Sequence, residues 1–147
     1  PAAEALRHYR SRYDGKPLAL NRWFAVQAQV PQHVTFERVL ALAGDPAFQL
    51  GNPNAVQALL GSFAHANPVA FHRRDGAGHR YLAAMLRELD ARNPQSAARL
   101  ARAFENWREL EPVRRDSARA ALDGLASHRG LSRDLSDIVA RMRTAQA

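Results

Sequence analysis

The sequence predicts an all-α protein of about eight helices stacked as antiparallel pairs. Three observations carry that prediction. Apolar residues recur at the i, i+3, i+4, i+7 spacing of a single helix face, strand-like alternation is nearly absent, and Asn-Pro dipeptides stand at or near the starts of helical patterns.

Taken in order, Leu6 already falls in a helical pattern, and Leu20, Trp23 and Phe24 open the next stripe. Phe36, Val39, Leu40 and Ala43 form another, followed by Val56, Leu59, Leu60 and Phe63. Leu82, Met85, Leu86 and Leu89 come next, then Ala97, Leu100, Ala101 and Phe104. Ala118, Ala121, Leu122 and Leu125 precede a last set of Leu135, Ile138, Val139 and Met142.

The punctuation agrees with the stripes. Asn52-Pro53, Asn67-Pro68 and Asn93-Pro94 each join a residue whose side chain accepts from first-turn amides to one whose missing N–H costs nothing there. Asp45-Pro46 and Glu111-Pro112 mark further breaks. Thr35, Ser117 and Ser132 read as weaker start signals, and Gly124 and Gly130 as helix weakeners or stops. The Asn-Pro signals are unevenly spaced, so no strict repeat period emerges. An irregular superhelix resembling armadillo or HEAT stacking fits the pattern, with a compact bundle as the structural alternative.

Length and composition fit one helical domain over 1–147: 147 residues, 46% hydrophobic and 24% charged. The chain opens on Pro1 rather than Met, which sets the expectation of a segment cut from a larger polypeptide. No apolar run approaches membrane-helix length, so no membrane partner is expected. Cysteine is absent, which excludes disulfides and thiolate metal sites. The formal charge is +7, and of 21 basic residues only Lys16 is not arginine. These cations are scattered from Arg7 to Arg143 among acids such as Glu88, Asp90 and Glu109, so specific nucleic-acid binding is not expected.

The stretch NPVAFHRRDGAGHRYL, residues 67–82, looks chemical. His72 and His79 lie seven apart, as do His65 and His72, but Asp75-Gly76-Ala77-Gly78 interrupts any continuous helix. No His-Glu-x-x-His occurs, and the glycines lack the preceding strand and further glycine of a nucleotide loop. The stretch reads as a joint between two helices, with Asp75 capping the second and Phe71 and Tyr81 anchoring the two sides. The serines occupy no strand–turn–helix elbow, and Trp23 and Trp107 belong to or border apolar stripes. No catalytic residue and no metal ligand is assigned.

Several segments together resemble the C-terminal helical domain of bacterial aminopeptidase N, the alanyl aminopeptidase family of zinc metallopeptidases. They are LNRWFAVQA (20–28), NPNAVQALLGSFAHANPVAFHRRDGAGHRYL (52–82) and MLRELDARNPQSAARL (85–100), with weaker similarity in ARAALDGL (118–125) and LSRDLSDIVARM (131–142). The resemblance implies that the zinc and the catalytic motifs belong to an upstream domain of a parent chain. This fragment would then be inactive and would hold no cofactor. It implies a covering role: the helices close over the catalytic domain of the same chain, enclose its chamber and restrict entry to peptide substrates. It also implies a cytoplasmic location. Arg99 matches a position where the family carries arginine, and with Arg102 and Gln57 it is expected to line the substrate channel. Gln57 departs from the family pattern, and His79 stands where relatives usually have tyrosine. Asn52, Asn67, Asp75 and Asn93 are expected to be structural caps. The rival reading is a free-standing helical-repeat scaffold that binds a protein or acidic partner through its arginines.

Overall fold

In a computed structural model, which describes residues 1–144, the chain folds into nine helices with no strand among the described residues. They are α1 (Ala2–Arg12), α2 (Pro17–Ala28), α3 (Thr35–Ala43), α4 (residues 53–66), α5 (Pro68–Phe71), α6 (Ala77–Asp90), α7 (Pro94–Ala101), α8 (Pro112–Ser127) and α9 (Arg133–Thr144). The one-turn α5 brings the expected rods to nine. Two 3₁₀ turns, Arg102–Phe104 and Trp107–Glu109, bridge α7 to α8.

Successive pairs stack in two layers. In one, α2, α4, α7 and α9 touch in turn. In the other, α6 packs on α8, and Tyr81 of α6 meets Phe36 of α3 edge to face at 5.8 Å between ring centroids. A single apolar core runs between the layers from Phe24 to Met142. Every residue of the Val56, Leu59, Leu60, Phe63 stripe is buried, as expected where one helix face meets the facing layer.

Local chemistry sets the boundaries. Glu111 caps α8, accepting from the Val113 and Arg114 amides, and Ser132 accepts from the Leu135 amide at the start of α9. Gly130 turns the chain with φ of +90°, in the left-handed region glycine adopts without strain.

Three readings need correction. Ser117 starts no helix; it sits inside α8, whose start Pro112 and Glu111 already define. Gly124 does not stop α8, because the helix runs on to Ser127 on the packing of Leu122 and Leu125. Leu40 obeys the helical spacing but is 41% exposed, since nothing among the described residues covers that side of α3. Nor does periodicity show that α4 widens into a π-helical turn over Gln57–Gly61, with the Gln57 side chain lying against Gly61.

Candidate functional site

The three residues expected to line a channel lie on adjacent helices of one layer. Gln57 opens the π turn of α4, Arg99 sits in the last turn of α7, and Arg102 begins the 3₁₀ turn that follows. All three are exposed, and α7 packs directly against the π turn. The structure does not bring them into one pocket. Arg102 alone borders a cleft of about 290 Å³, with His65, His72, Glu105 and Glu109 on its walls. It also pairs with Glu105 at 3.5 Å across an exposed turn, a contact of little energetic weight.

The caps hold this layer in place. Asn52 accepts from the Asn54 and Ala55 amides, and Asn93 accepts from the Ser96 amide. Asn67 does more. Its Oδ1 accepts from the Ala70 amide, while its Nδ2 donates to the carbonyls of Ala28 and Val30, both at 2.8 Å. That buried amide ties the α4–α5 break to the end of α2.

The joint between α5 and α6 is where the chemical-looking residues meet. Asp75 accepts from the Ala77 amide at 3.0 Å, one residue before the cap position, which Gly76 fills with φ of +76°. A side chain at Gly78 would come within 2.2 Å of the Phe71 carbonyl oxygen, so the second glycine lets α5 and α6 approach backbone to backbone. That approach brings together two histidines the intervening loop had seemed to separate. Nδ1 of His72 lies 2.8 Å from Nε2 of His79, and Nδ1 of His79 lies 2.8 Å from Oγ of Ser117 on α8.

The row Ser117–His79–His72 superficially resembles a nucleophile with its base. His79, however, is fully buried against Phe71 and Phe104, and among the described residues no carboxylate hydrogen-bonds either ring. Burial, then the neighbouring His72, Arg80 and Arg114, push His79 down to about 4; burial and Arg114 lower His72 as well. The pair is neutral at pH 7 and cross-links α5, α6 and α8. The only signal of it in the sequence was the histidine pair flanking a glycine-rich joint.

Among the described residues, no three His, Cys, Asp or Glu side chains stand close enough together to hold a metal ion. No described helix is long and apolar enough to cross a membrane.

Comparison with known proteins adds what geometry alone does not. Residues 1–144 match the family described as "Domain of unknown function (DUF3458_C) ARM repeats". The chain is 38% identical to aminopeptidase N of Caulobacter vibrioides and 35% identical to aminopeptidase N of Escherichia coli, each across 96% of its own length. It spans only 16% of the length of either relative. Its structure superposes on Legionella pneumophila aminopeptidase A, solved in complex with aspartic acid, with a TM-score of 0.90 and 34% identity over 96% of this chain and 16% of that one. The match across nearly every described residue, together with the stacked helix pairs, places the chain in the DUF3458_C family of ARM-repeat domains.

Proposed function

We propose that this chain is the C-terminal helical domain of a zinc-dependent aminopeptidase N, an enzyme that removes N-terminal amino acids from peptides. In this reading residues 1–147 form one domain that covers the catalytic domain of the same polypeptide, encloses the active-site chamber and gates peptide entry. The zinc and the hydrolytic groups belong to that other domain, and the whole protein works in the cytoplasm.

The observation that carries the reading is the match of 96% of this chain to only 16% of proteins named aminopeptidase N. The surface supports it. Leu18, Val26 and Val34 are 80%, 60% and 66% exposed on α2 and just before α3, apolar side chains available to a neighbouring domain. Gln57, Arg99 and Arg102 give the α4–α7 surface a polar, cationic lining suited to a water-filled passage. The contribution of such a domain is exclusion of bulk water and selection by size, without a nucleophile or base of its own.

The test compares the 147-residue chain with a polypeptide that also carries the catalytic domain, using an alanine aryl-amide with and without zinc. Turnover is expected only from the longer polypeptide, with short peptides cleaved and folded proteins refused. Zinc-dependent turnover by the 147-residue chain alone, or indifference of the longer polypeptide to substrate size, overturns the proposal.

A further inference from the structure

Among the described helices, α1 alone buries none of its residues, although it is eleven residues long. Its ties to the rest of the fold are few. The Trp23 indole donates to the Leu6 carbonyl at 2.8 Å, Arg10 pairs with Asp45 at 3.0 Å, and Leu6, Tyr9 and Tyr13 are only half-buried. A helix of this length draws its stability from an apolar face covered by its neighbours, so α1 is one neighbour short.

The place for that neighbour is open. A groove of about 620 Å³ runs beside α1 and α3. Ala2, Ala3 and Leu6 line it from α1, Val30 and Val34 from the connection between α2 and α3, and Ala41 from α3. The three alanines let another backbone come close, and Val30 and Val34 are exposed beside them. Three polar residues of the groove are engaged already: Gln27 donates to the Trp23 carbonyl, Thr35 to the Val30 carbonyl, and Glu37 pairs with Arg73. The contact the groove offers is therefore chiefly apolar.

We propose that this groove seats an apolar helix of the polypeptide segment that leads into Pro1. The inference rests on the reading of this chain as the last part of a longer polypeptide, whose relatives are about six times as long, since it spans 16% of each. Ala2 and Ala3 stand on the groove wall, so polypeptide joined to Pro1 starts at its lip. A short tether of that kind gives an effective concentration on the order of millimolar. A second copy is the poorer occupant, because it lacks the tether and carries the same formal charge of +7. With the helix in place, α1 gains cover on its groove side and the two layers continue past α2 and α3 as one stacked array.

In the longer polypeptide Val34 is replaced with photoreactive p-benzoylphenylalanine, and cross-links formed under light are located by mass spectrometry. They are expected in the segment directly before Pro1. Amide hydrogen exchange along α1 should be at least about a hundredfold slower in the longer polypeptide than in the 147-residue chain. Val34→Asp should abolish that slowing. In the 147-residue chain the same substitution should leave the melting temperature unchanged or raised, because Val34 is exposed and stands at the cap position of α3. Val113→Asp, an exposed valine of α8 outside the groove, should alter neither measurement. Cross-links to a second copy or to a distant part of the polypeptide, absence of any cross-link, or equal exchange along α1 in the two forms each overturn the proposal. None of these outcomes touches aryl-amide turnover, so the peptidase reading stands or falls on its own assay.

Discussion

His72 and His79 face each other ring nitrogen to ring nitrogen at 2.8 Å, and His79 passes the contact on to Ser117 at the same distance. One hydrogen bridges the two rings, so the contact requires at least one of them to be neutral. Protonating His79 buries a cation among Phe71 and Phe104 with Arg80 and Arg114 nearby.

Stability is therefore expected to be constant above about pH 6.5 and to fall as the pH drops toward 4. In that window the unfolded chain takes up a proton that the folded chain refuses. The folded value of about 4 implies a loss on the order of 2 kcal/mol at pH 5 from His79 alone, with His72 adding in the same direction. Urea denaturation at pH 7, 6 and 5 measures it, and His79→Gln should flatten the profile. A wild-type midpoint independent of pH across this range sinks the account.

The glycines give a prediction of opposite signs. Gly78→Ala places a methyl 2.2 Å from the Phe71 carbonyl oxygen, a backbone atom that cannot swing away, so α5 and α6 must separate. A loss of about 3 kcal/mol or more is expected, or failure to fold. Gly124 lies exposed within α8, and an added methyl there meets nothing within 4 Å. Gly124→Ala should gain about 0.5–1 kcal/mol by restricting the unfolded chain. Thermal melts of both variants decide the matter, and equal effects of the two substitutions contradict it.

What the sequence made legible was the part governed by single helices. The Val56–Phe63 stripe is wholly buried, and Asn52, Asn67 and Asn93 accept from first-turn amides, because face and cap are local properties. Legibility failed where a second helix decided the outcome. Leu40 has core chemistry but no neighbour over it, and His79 has surface chemistry but is fully buried because α5 and α8 close over it. The π turn at Gln57–Gly61 shifts the phase of α4 without altering its composition, so no residue type announces it. The joint at residues 75–78 was readable as a turn, but its closeness to Phe71 is a tertiary fact.

The three Asn-Pro caps should not be equal. Asn52→Ala and Asn93→Ala each remove a cap in partly exposed surroundings and should cost about 1 kcal/mol. Asn67→Ala also removes the side-chain donor to the Ala28 carbonyl and one of the donors to the Val30 carbonyl, which keeps the Gln32 amide and the Thr35 hydroxyl, at a site only 1% exposed. A cost of about 3–4 kcal/mol is expected from losing the cap and two long-range bonds together. Asn67→Asp separates the two contributions, since it keeps the Oδ1 acceptor but loses the Nδ2 donor. Denaturant midpoints that rank Asn67 with the other two contradict its role as a tie between α2 and α5.

Asp90 and Ser132 provide the last prediction. Asp90 closes α6 and is nearly buried; its two oxygens accept from the Ser132 amide and the Ser132 hydroxyl, and it forms no salt bridge among the described residues. Ser132 Oγ in turn accepts from the Leu135 amide at 3.1 Å, so one hydroxyl both caps α9 and donates to the end of α6. Ser132→Ala should cost about 2 kcal/mol, since it removes a cap and leaves a shielded carboxylate oxygen without a donor. Asp90→Ala strands the Ser132 amide and hydroxyl at similar cost. The two losses overlap in the shared bond, so the double variant should fall short of their sum by about 1–2 kcal/mol. A double-mutant cycle from urea unfolding measures that coupling, and simple additivity shows that the α6–α9 link carries no energy of its own.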